Sequence, residues 1–203
     1  MAVTINSRQI VFILKLAIHL ISFFLLARLY FQAINDQLGA DPVEAVLHFT
    51  GIGAFNLLLC SLLVSPLAQQ FKWSYLLKVR RLLGLYSFTY ALCHLLSFIA
   101  FEVQFDWGLF INEIIERPYI TVGMLAVVIL FLLTITSVSS IKKNMGRNWQ
   151  TLHNGVYVAL CLVALHFYWS VKSDIIEPSI YIAISVFLLY LRRKKIRRWL
   201  HKF

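Results

Sequence analysis

Six stretches of this chain run for fifteen residues or more with few or no charges: about 10–31, 45–67, 82–101, 118–140, 150–170 and 178–192. A hydrocarbon core of about 30 Å asks a helix for roughly twenty apolar residues. In that medium every backbone N–H and C=O must be satisfied within the protein, which leaves only helices and closed barrels. The runs are continuous and do not alternate, which argues against a barrel. With 60% of its residues hydrophobic, the chain also falls outside the range of a soluble domain. These features predict an all-α integral membrane protein: a six-transmembrane-helix bundle forming a single domain over 1–203. The last run is short and extends by snorkelling into a basic tail over 192–203. The first run is too long for a cleaved leader, and the following QAINDQLGADP lacks a small-x-small cleavage pattern.

Charge fixes the expected orientation. With the N-terminus inside, sixteen of the nineteen Lys and Arg fall in inner segments or the tail. This is the basic excess that sets topology, and it predicts cytoplasmic N- and C-termini. All nine acids (Asp36, Asp41, Glu44, Glu102, Asp106, Glu113, Glu116, Asp174 and Glu177) fall on the outer side. Such a face suits a basic or charge-sensitive partner. The net charge of +10 therefore points to membrane lipid headgroups and not to nucleic acid, since RRKKIRRWLHKF lies beside the membrane. Trp73, Trp107, Trp149, Trp169 and Trp199 stand near span ends, as an interfacial belt requires. The residues show no internal repeat, and no non-spanning segment is long enough for a soluble lobe.

Ionisable groups inside a bilayer are costly and mark functional sites. His19, His48, His94, His153 and His166 lie in or at the edges of the runs, whereas His201 sits in the solvated tail. At 1.5 Å per residue, His94 lies about 21 Å and His166 about 24 Å from the inner boundary. Two imidazoles level with each other on different helices are what axial ligation of a haem iron needs. A metal without a porphyrin would want further ligands, and no carboxylate lies at that depth. His153 lies near the inner boundary, about 20 Å from His166 along the helix and about 220° around it. That depth suits a second haem, but the matching position on helix three holds Arg80. His19 reads as an interhelical hydrogen-bonding residue, and His48 fits either role. Arg80 and Arg81 are placed to pair with haem propionates or with lipid phosphates. Cys60, Cys93 and Cys161 lie inside the runs, and Tyr90 stands where a C-x-x-C-H attachment would need cysteine, so any haem is held non-covalently.

Five stretches carry a family likeness: LGADPVEAVLHFTG (38–51), RRLLGLYSFTYALCHLLSF (80–98), ERPYITVGML (116–125), MGRNWQTLHNGVYV (145–158) and LHFYWSVK (165–172). In these the chain resembles the haem-binding membrane subunit of the bacterial periplasmic protein-methionine-sulfoxide reductase system, within the ferric-reductase-like transmembrane superfamily. The resemblance spans nearly the whole chain. It implies a b-type cytochrome of the bacterial inner membrane, taking electrons from the quinol pool or a cytoplasmic flavin reductase. A periplasmic molybdopterin-containing catalytic subunit would receive them and reduce methionine sulfoxide in oxidised proteins. The resemblance matches the family's haem ligands to His94, His153 and His166, and it implies FMN, which no residue of this chain places. Larger relatives carry a dinucleotide-binding domain, for which this chain has neither G-x-G-x-x-G nor room. The reading adopted is an electron-relaying membrane cytochrome b, with His94 and His166 on one haem b and His153 as the inner candidate for a second. Its rivals are a stand-alone transmembrane ferric or oxygen reductase and a non-redox transporter or assembly protein.

Overall fold

The structure is a computed structural model that describes residues 6–171 and 175–201. Asp174 of the outer acids and Lys202 of the tail lie outside the described residues. Among the described residues all regular structure is helical, and the chain divides into two compact units, 1–104 and 105–203.

The first unit holds α1 (Ser7–Ile34), α2 (Pro42–Gln70) and α3 (Arg80–Ser97), with a 3₁₀ turn over Ser74–Lys78 between the last two. Helix starts follow local chemistry. Asn6 and Gln9 form a capping box before α1. Asp41 accepts from the Glu44 N–H at 2.8 Å, and Pro42 occupies the first position of α2, where its missing N–H costs nothing. The α2–α3 seam is built from small and hydroxyl residues, the usual means of close approach where lipid removes the hydrophobic drive between helices. Tyr90 packs over Gly53, and Ser87 donates to the Ala54 carbonyl at 2.9 Å. From the other side Tyr90 donates to the Ser22 carbonyl of α1 at 2.8 Å, and Tyr30 meets Ser97 at 2.9 Å. A π-helical turn, Phe98–Glu102, closes α3.

The second unit comprises α4 (Trp107–Glu116), α5 (Pro118–Ile135), α6 (Ser139–Met145), α7 (Arg147–His153), α8 (Val156–Ser170) and α9 (Ile176–Leu200). The run expected over 118–140 ends as a helix at Ile135. Gly146, at φ +50°, turns the chain between α6 and α7 in a conformation that favours glycine. The run expected over 150–170 is two helices. At their junction the Gly155 N–H donates to the Leu152 carbonyl at 2.8 Å, and a Cβ at Gly155 would lie only 2.9 Å from that oxygen.

Among the described residues, five helical segments are long and apolar enough to cross a membrane: Ser7–Ile34, Pro42–Gln70, Arg80–Glu102, Pro118–Ile135 and Arg147–Ser170. α9 differs in kind. It is one continuous helix of 25 residues, but its apolar half gives way to RRKKIRR after Leu191. Outward-facing apolar side chains on α1, Phe12, Leu20, Phe23 and Phe24 among them, are the surface that hydrocarbon would cover.

Candidate functional site

His94 lies in the last turn of α3, half-buried, beside the first turns of α2. Its Nδ1 is 2.9 Å from the Leu47 carbonyl oxygen. The Thr50 hydroxyl stands 3.4 Å from the same nitrogen, while its own proton goes to the Val46 carbonyl at 2.7 Å. A helical carbonyl has a second lone pair after its i→i+4 bond, so it can accept from a neighbouring ring.

His166 is set in the same way within the second unit. Near the end of α8, its Nδ1 is 2.7 Å from the carbonyl of Tyr119, a first-turn residue of α5. The Tyr119 ring lies tilted against it, with centroids 6.0 Å apart at 42°.

The acceptors decide the protonation state. A carbonyl only accepts, so in each neutral ring Nδ1 carries the hydrogen and Nε2 carries the lone pair. This is the tautomer that ligates a metal through Nε2, and a backbone carbonyl on the opposite ring nitrogen is the common outer-shell partner of a ligating histidine. Among the described residues no three of His, Cys, Asp or Glu come together as a metal-holding group. A porphyrin brings four nitrogens and needs only axial imidazoles from the protein, so residues of this kind fit a haem.

His153 is held differently. It ends α7, and its Nε2 is 3.0 Å from the Thr136 hydroxyl. That hydroxyl donates to the Leu132 carbonyl at 2.6 Å, so it receives the hydrogen of His153 Nε2. Trp149 stacks on the ring at 3.9 Å and 28°, donates to the Thr136 carbonyl at 2.8 Å, and carries the Lys142 ammonium 4.3 Å from its own centroid. Ligation by His153 through Nε2 would have to replace the Thr136 contact.

The remaining sequence candidates are spread through the first unit. Arg80 opens α3, half-buried, and Arg81 beside it is exposed. His19 meets the Tyr86 hydroxyl at 2.7 Å, an interhelical hydrogen bond between α1 and α3. His48 is exposed on α2. Cys60, Cys93 and Cys161 are free thiols. Sequence reasoning did not find Thr50, Thr136 or the two backbone carbonyls, and a carbonyl leaves no residue type to find.

Comparison with known proteins gives a consistent result. Residues 50–164 match the family described as "Ferric reductase like transmembrane component". The chain is 41% identical over 196 residues to the "Protein-methionine-sulfoxide reductase heme-binding subunit MsrQ" of Salmonella arizonae, covering 96% of this chain and 98% of that protein. The proteins of the same name from Salmonella paratyphi B and Salmonella heidelberg match it at the same identity and coverage.

Proposed function

The chain belongs to the ferric-reductase-like transmembrane family and groups there with heme-binding subunits of protein-methionine-sulfoxide reductase, and from that premise we propose that it is a membrane cytochrome b working as an electron relay. His94 and His166 supply the axial imidazoles of one haem b, and the haem contributes a one-electron carrier. The observation that carries this reading is that both histidines are fixed in the same Nδ1–H tautomer by a backbone carbonyl. The carbonyls orient each ring and raise the basicity of the ligating nitrogen. His153 is the candidate inner ligand for a second haem, and Arg80 and Arg81 are the candidates for holding propionates at the inner surface.

In this reading the chain forms one transmembrane domain over 1–203 in the bacterial inner membrane. α9 completes six spans, and both termini are cytoplasmic, in line with the Lys and Arg distribution. The outer acidic segments face a periplasmic molybdopterin-containing catalytic subunit that reduces methionine sulfoxide. A quinol or a cytoplasmic flavin reductase supplies electrons, and FMN is carried over from the family resemblance alone.

Protein purified from haem-replete cells should show a Soret band, and a pyridine haemochrome assay should give one or two haem b per chain. His94→Ala and His166→Ala should each remove the same haem. Colourless wild-type protein would overturn the cytochrome reading, and loss of two different haems, one per variant, would overturn the pairing.

A further inference from the structure

Leu47, Gly51 and His94 in the first unit recur as Tyr119, Gly123 and His166 in the second, each shifted by seventy-two residues. In both units the acceptor carbonyl and the histidine are forty-seven residues apart. In both, a glycine stands one helical turn after the carbonyl. That position matters physically. The carbonyl of residue i points along the helix at the N–H of residue i+4, so the side chain of i+4 stands beside the oxygen and screens its second lone pair. A ring that approaches from a neighbouring helix has to lie over residue i+4.

We infer that His94 and His166 sit in two copies of one imidazole-positioning device, in which Gly51 and Gly123 are the positioning residues. A Cβ built on Gly123 would stand 2.7 Å from Nδ1 and 2.9 Å from Cε1 of His166. A Cβ on Gly51 would stand 3.2 Å from Nδ1 and from Cε1 of His94. Both distances are tighter than ordinary van der Waals contact, and the first requires the ring to move. Each imidazole therefore brings its Nδ1 edge close against helix backbone with its Nδ1–H on a fixed acceptor, and the absence of one methyl group makes the seat. The helix itself gains nothing from these glycines, since alanine is the better helix former. Other glycines do not share the role: a Cβ on Gly84 of α3 would meet only the Ser61 hydroxyl, at 3.8 Å. The inference rests on the reading of His94 and His166 as haem ligands. It adds that ring orientation is set by two glycines and two main-chain oxygens.

The test compares full-length wild type with Gly123→Ala, Gly51→Ala and the control Gly84→Ala. Nitrogen-15 NMR of histidine-labelled, haem-free protein reads the ring tautomers. Haem titration and the low-spin electron paramagnetic resonance g values of loaded protein read the consequence at the iron, because those g values follow the rotation of the axial imidazole planes. Wild type should show both rings as Nδ1–H. Gly123→Ala should abolish that state at His166 alone, weaken haem binding on the order of tenfold and shift the g values. Gly51→Ala should act at His94 in the same direction but less, and Gly84→Ala should match wild type in every readout. Wild-type tautomers and g values in both Gly51→Ala and Gly123→Ala would overturn the inference, and so would an equal effect from Gly84→Ala. Protein that shows both Nδ1–H rings, with the expected glycine dependence, yet takes up no haem upholds the seats and overturns the cytochrome reading.

Discussion

The two histidine seats share a plan and differ in tightness. In the first, Nδ1 of His94 has the Leu47 carbonyl at 2.9 Å and a hydroxyl, Thr50, at 3.4 Å. In the second, the position matching Thr50 is Val122, and His166 has a shorter bond of 2.7 Å to Tyr119 with a closer glycine beside its Nδ1 edge. The first ring has a hydroxyl as well as a carbonyl near its Nδ1 on a looser seat, and the second has a shorter bond to its carbonyl on a tighter one. Common to both is a main-chain carbonyl at Nδ1, and a carbonyl can only accept, which selects the Nδ1–H tautomer. What varies is how much the ring can shift before that bond is lost.

The strongest challenge to this comparison is removal of the rings. His166→Ala and His94→Ala should both abolish the same Soret absorbance, because an iron with one axial imidazole missing is a different species. A variant that kept the wild-type spectrum would show that its seat is not a ligand seat. Less disruptive is Thr136→Val, which acts on the third histidine. It should cost about 1 kcal/mol of interhelical hydrogen bonding at His153, measured by thermal unfolding in detergent, without altering the spectrum assigned to His94 and His166. A change in that spectrum would mean that His153 is coupled to them.

The smallest effects come from exchanging the feature that distinguishes the seats. Thr50→Val should make the first seat resemble the second, with a loss of about 0.5 kcal/mol or less expected for a long hydrogen bond. Val122→Thr should give His166 a hydroxyl neighbour of the kind His94 has. The two substitutions should move the g values in opposite directions, and movement in the same direction would show that the hydroxyl does not set ring orientation.

Much of the fold was legible because bilayer thickness imposes a length on any spanning helix. The runs near 10–31, 45–67 and 82–101 became helices that extend each end by a few residues, where caps such as Asn6 and Asp41 take over from hydropathy. The break between His153 and Val156 was hidden because NGVYV reads as apolar, and one glycine-containing turn does not interrupt a hydropathy window. His153 and His166 stand on two helical segments joined by a tighter turn, with i→i−3 bonds at Gly155 and Tyr157. α9 shows the reverse case. Its helix is longer than the apolar run because the charged tail continues it, and a run of about fifteen residues covers only about 22 Å.

The site was half legible. His94 and His166 were found as polar residues where polarity is costly, and His19 was read as an interhelical contact of the sort it makes with Tyr86. The partners that give His94 and His166 their tautomer were not found, because both acceptors are peptide oxygens. No repeat was visible in the residues either, since LHFTG and YITVG share only their final glycine.

That choice of acceptor has a consequence for how the protein can change over generations. A peptide oxygen is present whatever side chain the residue carries, so positions 47 and 119 are at liberty to drift, and here one holds leucine and the other tyrosine. The seat depends instead on what is absent, a single β-carbon at 51 and at 123. The most revealing trace of such a device in a lineage is a position that never acquires a side chain.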